Sequence, residues 1–84
     1  MKYKLIYTFR ADRDIRRLEP GIKKRLEKIL RKYEENPLKY AEKLTDSQLG
    51  TYRFRIGDYR VVFDLEKEKI IILRVGHRGE IYRR

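Results

Sequence analysis

Fourteen consecutive residues, Thr51-Tyr-Arg-Phe-Arg-Ile-Gly-Asp-Tyr-Arg-Val-Val-Phe-Asp64, constrain the fold of this chain more than any other stretch. Apolar and polar residues alternate on both sides of Gly57-Asp58, a dipeptide of the kind that closes two-residue hairpins. With Gly57 and Asp58 as the loop, Ile56 faces Tyr59, Arg55 faces Arg60, Phe54 faces Val61, Arg53 faces Val62 and Tyr52 faces Phe63. Side chains alternate faces along a strand. One face therefore carries Tyr52, Phe54, Ile56, Tyr59, Val61 and Phe63, a core face. The other gathers Arg53, Arg55 and Arg60. Like charges directly opposite one another destabilise a sheet. An anion among three guanidinium groups offsets that, and phosphate suits their fork geometry. The same face reads equally as the solvated side of a very basic chain.

The chain has 84 residues and a formal net charge of +10. That length gives one domain, residues 1–84, with a limited core. The charge points to a polyanionic partner, either nucleic acid or an acidic protein segment. With no Cys and a single His, thiolate chemistry and a zinc site are excluded, and neither metal nor cofactor is expected. No apolar run is long enough for a signal peptide or a membrane span, so a cytoplasmic location is expected. Abundant Lys, Arg and Glu resembles thermophile usage.

In order along the chain, Lys2 to Tyr7 reads as a first strand. Thr8 is a candidate N-cap for a short helix carrying Ala11, Ile15 and Leu18 inward. Pro20 suits the first turn of a second helix, where Ile22, Leu26, Ile29, Leu30 and Tyr33 form one apolar stripe. The basic residues of that helix, including Lys24, Arg25 and Lys28, read as a solvated face or as RNA contacts. Asn36-Pro37 ends it. Residues 38–50 read as a loop that brings Leu44 to the core, with a turn at Asp46-Ser47. Lys69 to Val75 is apolar on both faces, as a central strand requires. The expected fold is α+β: two N-terminal helices packed on an antiparallel sheet in the order β-α-α-β-β-β, with room for a short last strand.

Two runs are recognisable: Tyr52 to Phe63, and Leu73-Arg-Val-Gly-His-Arg-Gly-Glu-Ile-Tyr82. With Glu42-Lys43-Leu44 before them, they resemble the RelE/ParE superfamily of type II toxins, most closely its RelE branch. The resemblance spans essentially the whole chain in element order and is specific from about Lys43 to Tyr82. It implies the small α+β fold of microbial ribonucleases, a toxin role and an acidic, RelB-like antitoxin. For the RelE branch it implies metal-independent cleavage of mRNA in the ribosomal A site, with ribosome and mRNA as partners. The ParE branch instead poisons DNA gyrase, and an inactive relative would keep only antitoxin and nucleic-acid affinity. Position by position, Arg53 and Arg55 match a pair often lysine in the RelE branch. Arg60 matches its phosphate-holding arginine, Arg78 its second catalytic arginine and Tyr82 its active-site tyrosine. The chain departs in having arginine at both 53 and 55, and in stopping just after Tyr82.

RNA can be cut by attack of its own 2′-hydroxyl on the adjacent phosphate. The enzyme must align the nucleophile, neutralise charge on the phosphate and protonate the leaving 5′-oxygen. Arginine stays protonated and is a poor base. His77, whose ordinary pKa lies near neutrality, is the acid–base candidate. The blander reading is a strand-end histidine bonded to the backbone. Alternation places it on the face opposite Arg78 if the strand continues that far. Replacing Arg60 by Ala is expected to leave folding intact or to stabilise it slightly, because it relieves repulsion from Arg55 across the hairpin.

Overall fold

Why the chain folds as it does is clearest at β3 (Tyr52–Ile56) and β4 (Tyr59–Glu66), which pair antiparallel in the register expected from alternation, Arg55 opposite Arg60. The computed structural model of the protein describes residues 3–45 and 48–81. The Asp46-Ser47 turn and Tyr82 lie outside the described residues. Gly57 closes the hairpin with φ 60°, a left-handed value that an L side chain adopts only with strain. Phe54, Ile56, Val61 and Phe63 are buried on one face, with Tyr52 and Tyr59 packed against them. The rings of Phe54 and Phe63 stack at 4.2 Å.

The helices cover that face. Helix α1 (Phe9–Arg16) begins at Thr8, whose hydroxyl accepts from the Ala11 amide and donates to the Ile72 carbonyl. One side chain thus caps the helix and fastens it to β5 (Lys69–His77). Helix α2 (Pro20–Tyr33) starts on proline and buries Leu26 and Leu30, with Ile22, Ile29 and Tyr33 packed alongside. Tyr33 tilts onto Phe54 and stacks on Tyr40.

Among the described residues the sheet has five strands in the order β1-β5-β4-β3-β2. The expected α+β fold is borne out, with two departures. Strand β1 (Lys4–Tyr7) pairs parallel with β5, so the sheet is mixed; the αα crossover returns the chain to a different strand, and local patterning carries no signal of direction. Residues 38–50 are not one loop. A short helix α3 (Pro37–Tyr40) leads into a three-residue strand β2 (Ala41–Lys43). That strand is too short to show a period and exists because β3 offers it an edge, with Glu42 opposite Arg53. Leu44 is half-buried outside the core cluster, its amide bonded to the Thr51 carbonyl.

Two irregularities shape the ends of the sheet. The β4–β5 register slips between Val62 and Phe63, leaving Leu73 as the extra residue. The slip keeps Ile70, Ile72 and Val75 all on the core. Where β1 stops, Asp14 of α1 takes over the open edge of β5, accepting from the Val75 amide and from Arg74 Nε. Part of the outer face of the sheet is covered, with Val62 fully buried there. Gly50 lies so close that a Cβ there would sit 2.6 Å from Val62 Cγ1 and 2.9 Å from Leu73 Cδ1. Beyond that apolar cover the arginines begin.

Candidate functional site

Arg53, Arg55 and Arg60 leave the sheet on the outer face, as alternation dictates. Facing guanidinium groups repel, and the fold separates Arg60 from Arg53 and Arg55 by giving it acceptors of its own. Arg60 turns back along its own hairpin. Its Nη1 donates to the carbonyls of Gly57 and Tyr59, both at 2.9 Å. Gly76 stands opposite it on β5, and Ile81 folds back over that glycine, its Cδ1 3.5 Å from where a Cβ would be. Arg60 is thereby 6% exposed, not open to solvent as the sequence suggested. The carbonyl dipoles that accept from Nη1 carry no net charge, and among the described residues no carboxylate pairs with Arg60.

Arg53 and Arg55 follow a different route. Glu42, across from Arg53 on β2, accepts from Arg53 Nε at 2.9 Å and from Arg55 Nη1 at 3.4 Å. The Arg53 hydrogen bond above all, helped by the charges of both arginines, holds the Glu42 carboxyl below its ordinary pKa.

Arg78 arrives from the end of β5. Its amide donates to the Asp58 carbonyl at 2.8 Å, and its Nε lies 3.9 Å from Asp58 Oδ1 in a largely exposed, weak pair. A further arginine joins from α2. A Cβ built on Gly57 would lie 3.7 Å from Arg25 Nη2. Arg25, Arg60 and Arg78 thus approach the Gly57-Asp58 turn from three elements, while Arg53 and Arg55 lie along the hairpin's flank. Helical periodicity marks Arg25 only as an outward residue. No local signal in the sequence ties it to a turn more than thirty positions away.

His77 stands opposite Tyr59 and packs edge-on to it, ring centres 5.7 Å apart. Tyr59 belongs to the helix-bearing face, so His77 is not gathered with Arg60. Its Nδ1 accepts from the Gly79 amide at 3.1 Å. In the neutral ring the hydrogen then sits on Nε2, which leaves a donor and no free acceptor. Two depressions lie elsewhere. One of about 730 Å³ runs beside β1 and is lined by Tyr3, Tyr7, Ile15 and Glu34. One of about 380 Å³ lies between α1 and the end of β5, with Arg17, Tyr59 and His77 in its walls. Neither is lined by Arg53, Arg55, Arg60 or Arg78.

Fold and site together define a class, a small and strongly cationic RelE-like α+β domain. The family model described as "ParE toxin of type II toxin-antitoxin system, parDE" matches residues 5–82, and the chain belongs to that family, within the RelE/ParE superfamily. Toxin RelG of Mycobacterium tuberculosis is 34% identical over the full length of both chains. In the toxin–antitoxin complex RelBE2 of the same organism, one chain superposes with a TM-score of 0.84 at 28% identity, covering 93% of this chain and 100% of that one. The RelB–RelE antitoxin–toxin complex of Methanococcus jannaschii matches with a TM-score of 0.71 at 27% identity, over 92% and 94% of the two chains.

Proposed function

We propose that this toxin is a ribosome-dependent mRNA endonuclease that cuts in the A site. The RNA's 2′-hydroxyl attacks the adjacent phosphorus, the 2′-oxygen–phosphorus bond forms and the bond to the 5′-oxygen breaks. Arg60 is the observation that supports this reading. A nearly buried cation held by backbone carbonyls is a fixed electrostatic element, and fixed charge in a low-dielectric setting stabilises a phosphorane-like transition state well. Exposed Arg55 and Arg78 would meet the phosphate at the surface, Arg78 on the side of the leaving oxygen. Tyr82 would stack on a base or bond near the phosphate. No group gathered with the arginines is a good base, so the ribosome would supply the acceptor for the 2′-hydroxyl proton. The leaving 5′-oxygen would take its proton from water or from a ribosomal group, since His77 lies on the face opposite Arg60 and a neutral imidazole N–H is too weak an acid to give one.

The neighbours solved as toxin–antitoxin complexes support an antitoxin partner; the net charge of +10 suits an acidic, partly disordered one that wraps the chain. A cytoplasmic site of action goes with that role; among the described residues no helix is long and apolar enough to cross a membrane. The second reading, gyrase inhibition, is favoured by the ParE description of the matching family model. Expressed without an antitoxin, the protein is expected to truncate mRNA on translating ribosomes and to leave a naked synthetic RNA largely intact. Trapped gyrase–DNA cleavage complexes with intact mRNA would select the second reading instead. Rapid cutting of naked RNA would remove the ribosome from the mechanism.

A further inference from the structure

We infer that Glu42 is an internal stand-in for a phosphate, holding Arg53 and Arg55 until RNA displaces it and so limiting binding to nucleic acid at large. The inference rests on reading the hairpin's outer face as an RNA site.

The geometry is that of anion recognition. One carboxylate spreads its two oxygens over two arginines, Oε1 on Arg53 Nε and Oε2 on Arg55 Nη1. Carboxylate and phosphate present oxygens that guanidinium groups bind in the same way. The link is also exchangeable. The Glu42 and Arg55 side chains are 44% and 55% exposed, so water or an incoming anion reaches both, and an exposed ion pair is held weakly. Arg60 offers the contrast, since its acceptors are backbone carbonyls that no ligand removes. A general base is the competing role for Glu42. Both its oxygens already accept from cations, which keeps it ionised and makes it a weak proton acceptor. For a chain of net charge +10, a carboxylate that occupies part of the cationic face lowers affinity for any polyanion that cannot outcompete it.

The test compares Glu42→Gln with Glu66→Gln, which removes an equal charge at the far end of β4. Binding of a short single-stranded RNA, with 2′-O-methyl ribose at every position to prevent cleavage, is titrated across salt concentrations for both variants and the parent. Glu42→Gln is expected to bind about tenfold more tightly, with a log–log salt slope steeper by about 0.7 for each phosphate gained. Adding Arg53→Gln and Arg55→Gln is expected to cancel the gain. Equal behaviour of Glu42→Gln and Glu66→Gln overturns the inference. So does unchanged RNA affinity with loss of A-site cleavage and of the acidic limb of its pH profile, which makes Glu42 a base. If the parent cuts no mRNA on ribosomes, the proposed function fails, while the affinity comparison still decides Glu42.

Discussion

Arg55 and Arg60 face each other across one hairpin, yet the two ends of that pair are built on opposite principles. At the tip, Arg60 is buried and bonded to carbonyls of its own turn. On the flank, Arg55 is exposed and shares a carboxylate with Arg53. Backbone dipoles fix a charge in place without cancelling it. An exposed carboxylate cancels charge and is open to exchange. The same residue type is thus part of the framework at one site and a replaceable contact at the other.

The most forceful way to break this contrast is Arg60→Ala. It leaves two turn carbonyls without their donor, so about 1–3 kcal/mol of stability is expected to go. Loss of a transition-state charge contact is expected to lower A-site cleavage about a hundredfold or more. Thermal unfolding and single-turnover cleavage measure the two effects, and a variant as stable as the parent would return Arg60 to the open face the sequence suggested. Arg55→Ala is expected to reduce cleavage about tenfold through one lost phosphate contact. Its melting is expected to move by less than about 1 kcal/mol, the size of an exposed pair. If it melts as early as Arg60→Ala, tip and flank do not differ.

Arg25→Gln sharpens the outline of the tip. Removing one phosphate contact is expected to flatten the salt dependence of ribosome binding by about one unit of slope. Melting and the rate at saturation are expected to hold, and an unchanged slope returns Arg25 to a solvated helix face. The smallest effect is the titration of Glu42. Its folded pKa is depressed from 4.5 chiefly by the Arg53 hydrogen bond. The pairing therefore favours the folded state above the ordinary Glu pKa and is lost as pH falls through the depressed one. Carboxyl-carbon NMR is expected to give a midpoint below 4.5 in the parent. Arg53→Gln is expected to move it upward and Arg60→Ala to leave it in place; an upward shift from Arg60→Ala would join the two regions that the structure separates.

The sequence by itself determined the hairpin, its register, the core face of Tyr52 to Phe63, the Thr8 cap and the inward stripe of α2. All of these follow from short-range geometry: a two-residue side-chain period in strands, 3.6 residues per turn in helices, and a glycine where φ is positive. It also brought the arginines into view as a group, since alternation alone puts 53, 55 and 60 on one side. Only the tertiary structure decided what each of them touches. Glu42 meets Arg53 because an unpatterned three-residue strand adds to the β3 edge. Arg25 Nη2 lies beside the Gly57 turn, and Ile81 lies over Gly76, the residue opposite the buried Arg60. β1 lies parallel to β5 because the crossover, not β1 itself, sets its direction. A guanidinium finds its partner through the packing of segments distant in sequence, and periodicity, which reports only which way a side chain points, holds no information about what will be waiting there.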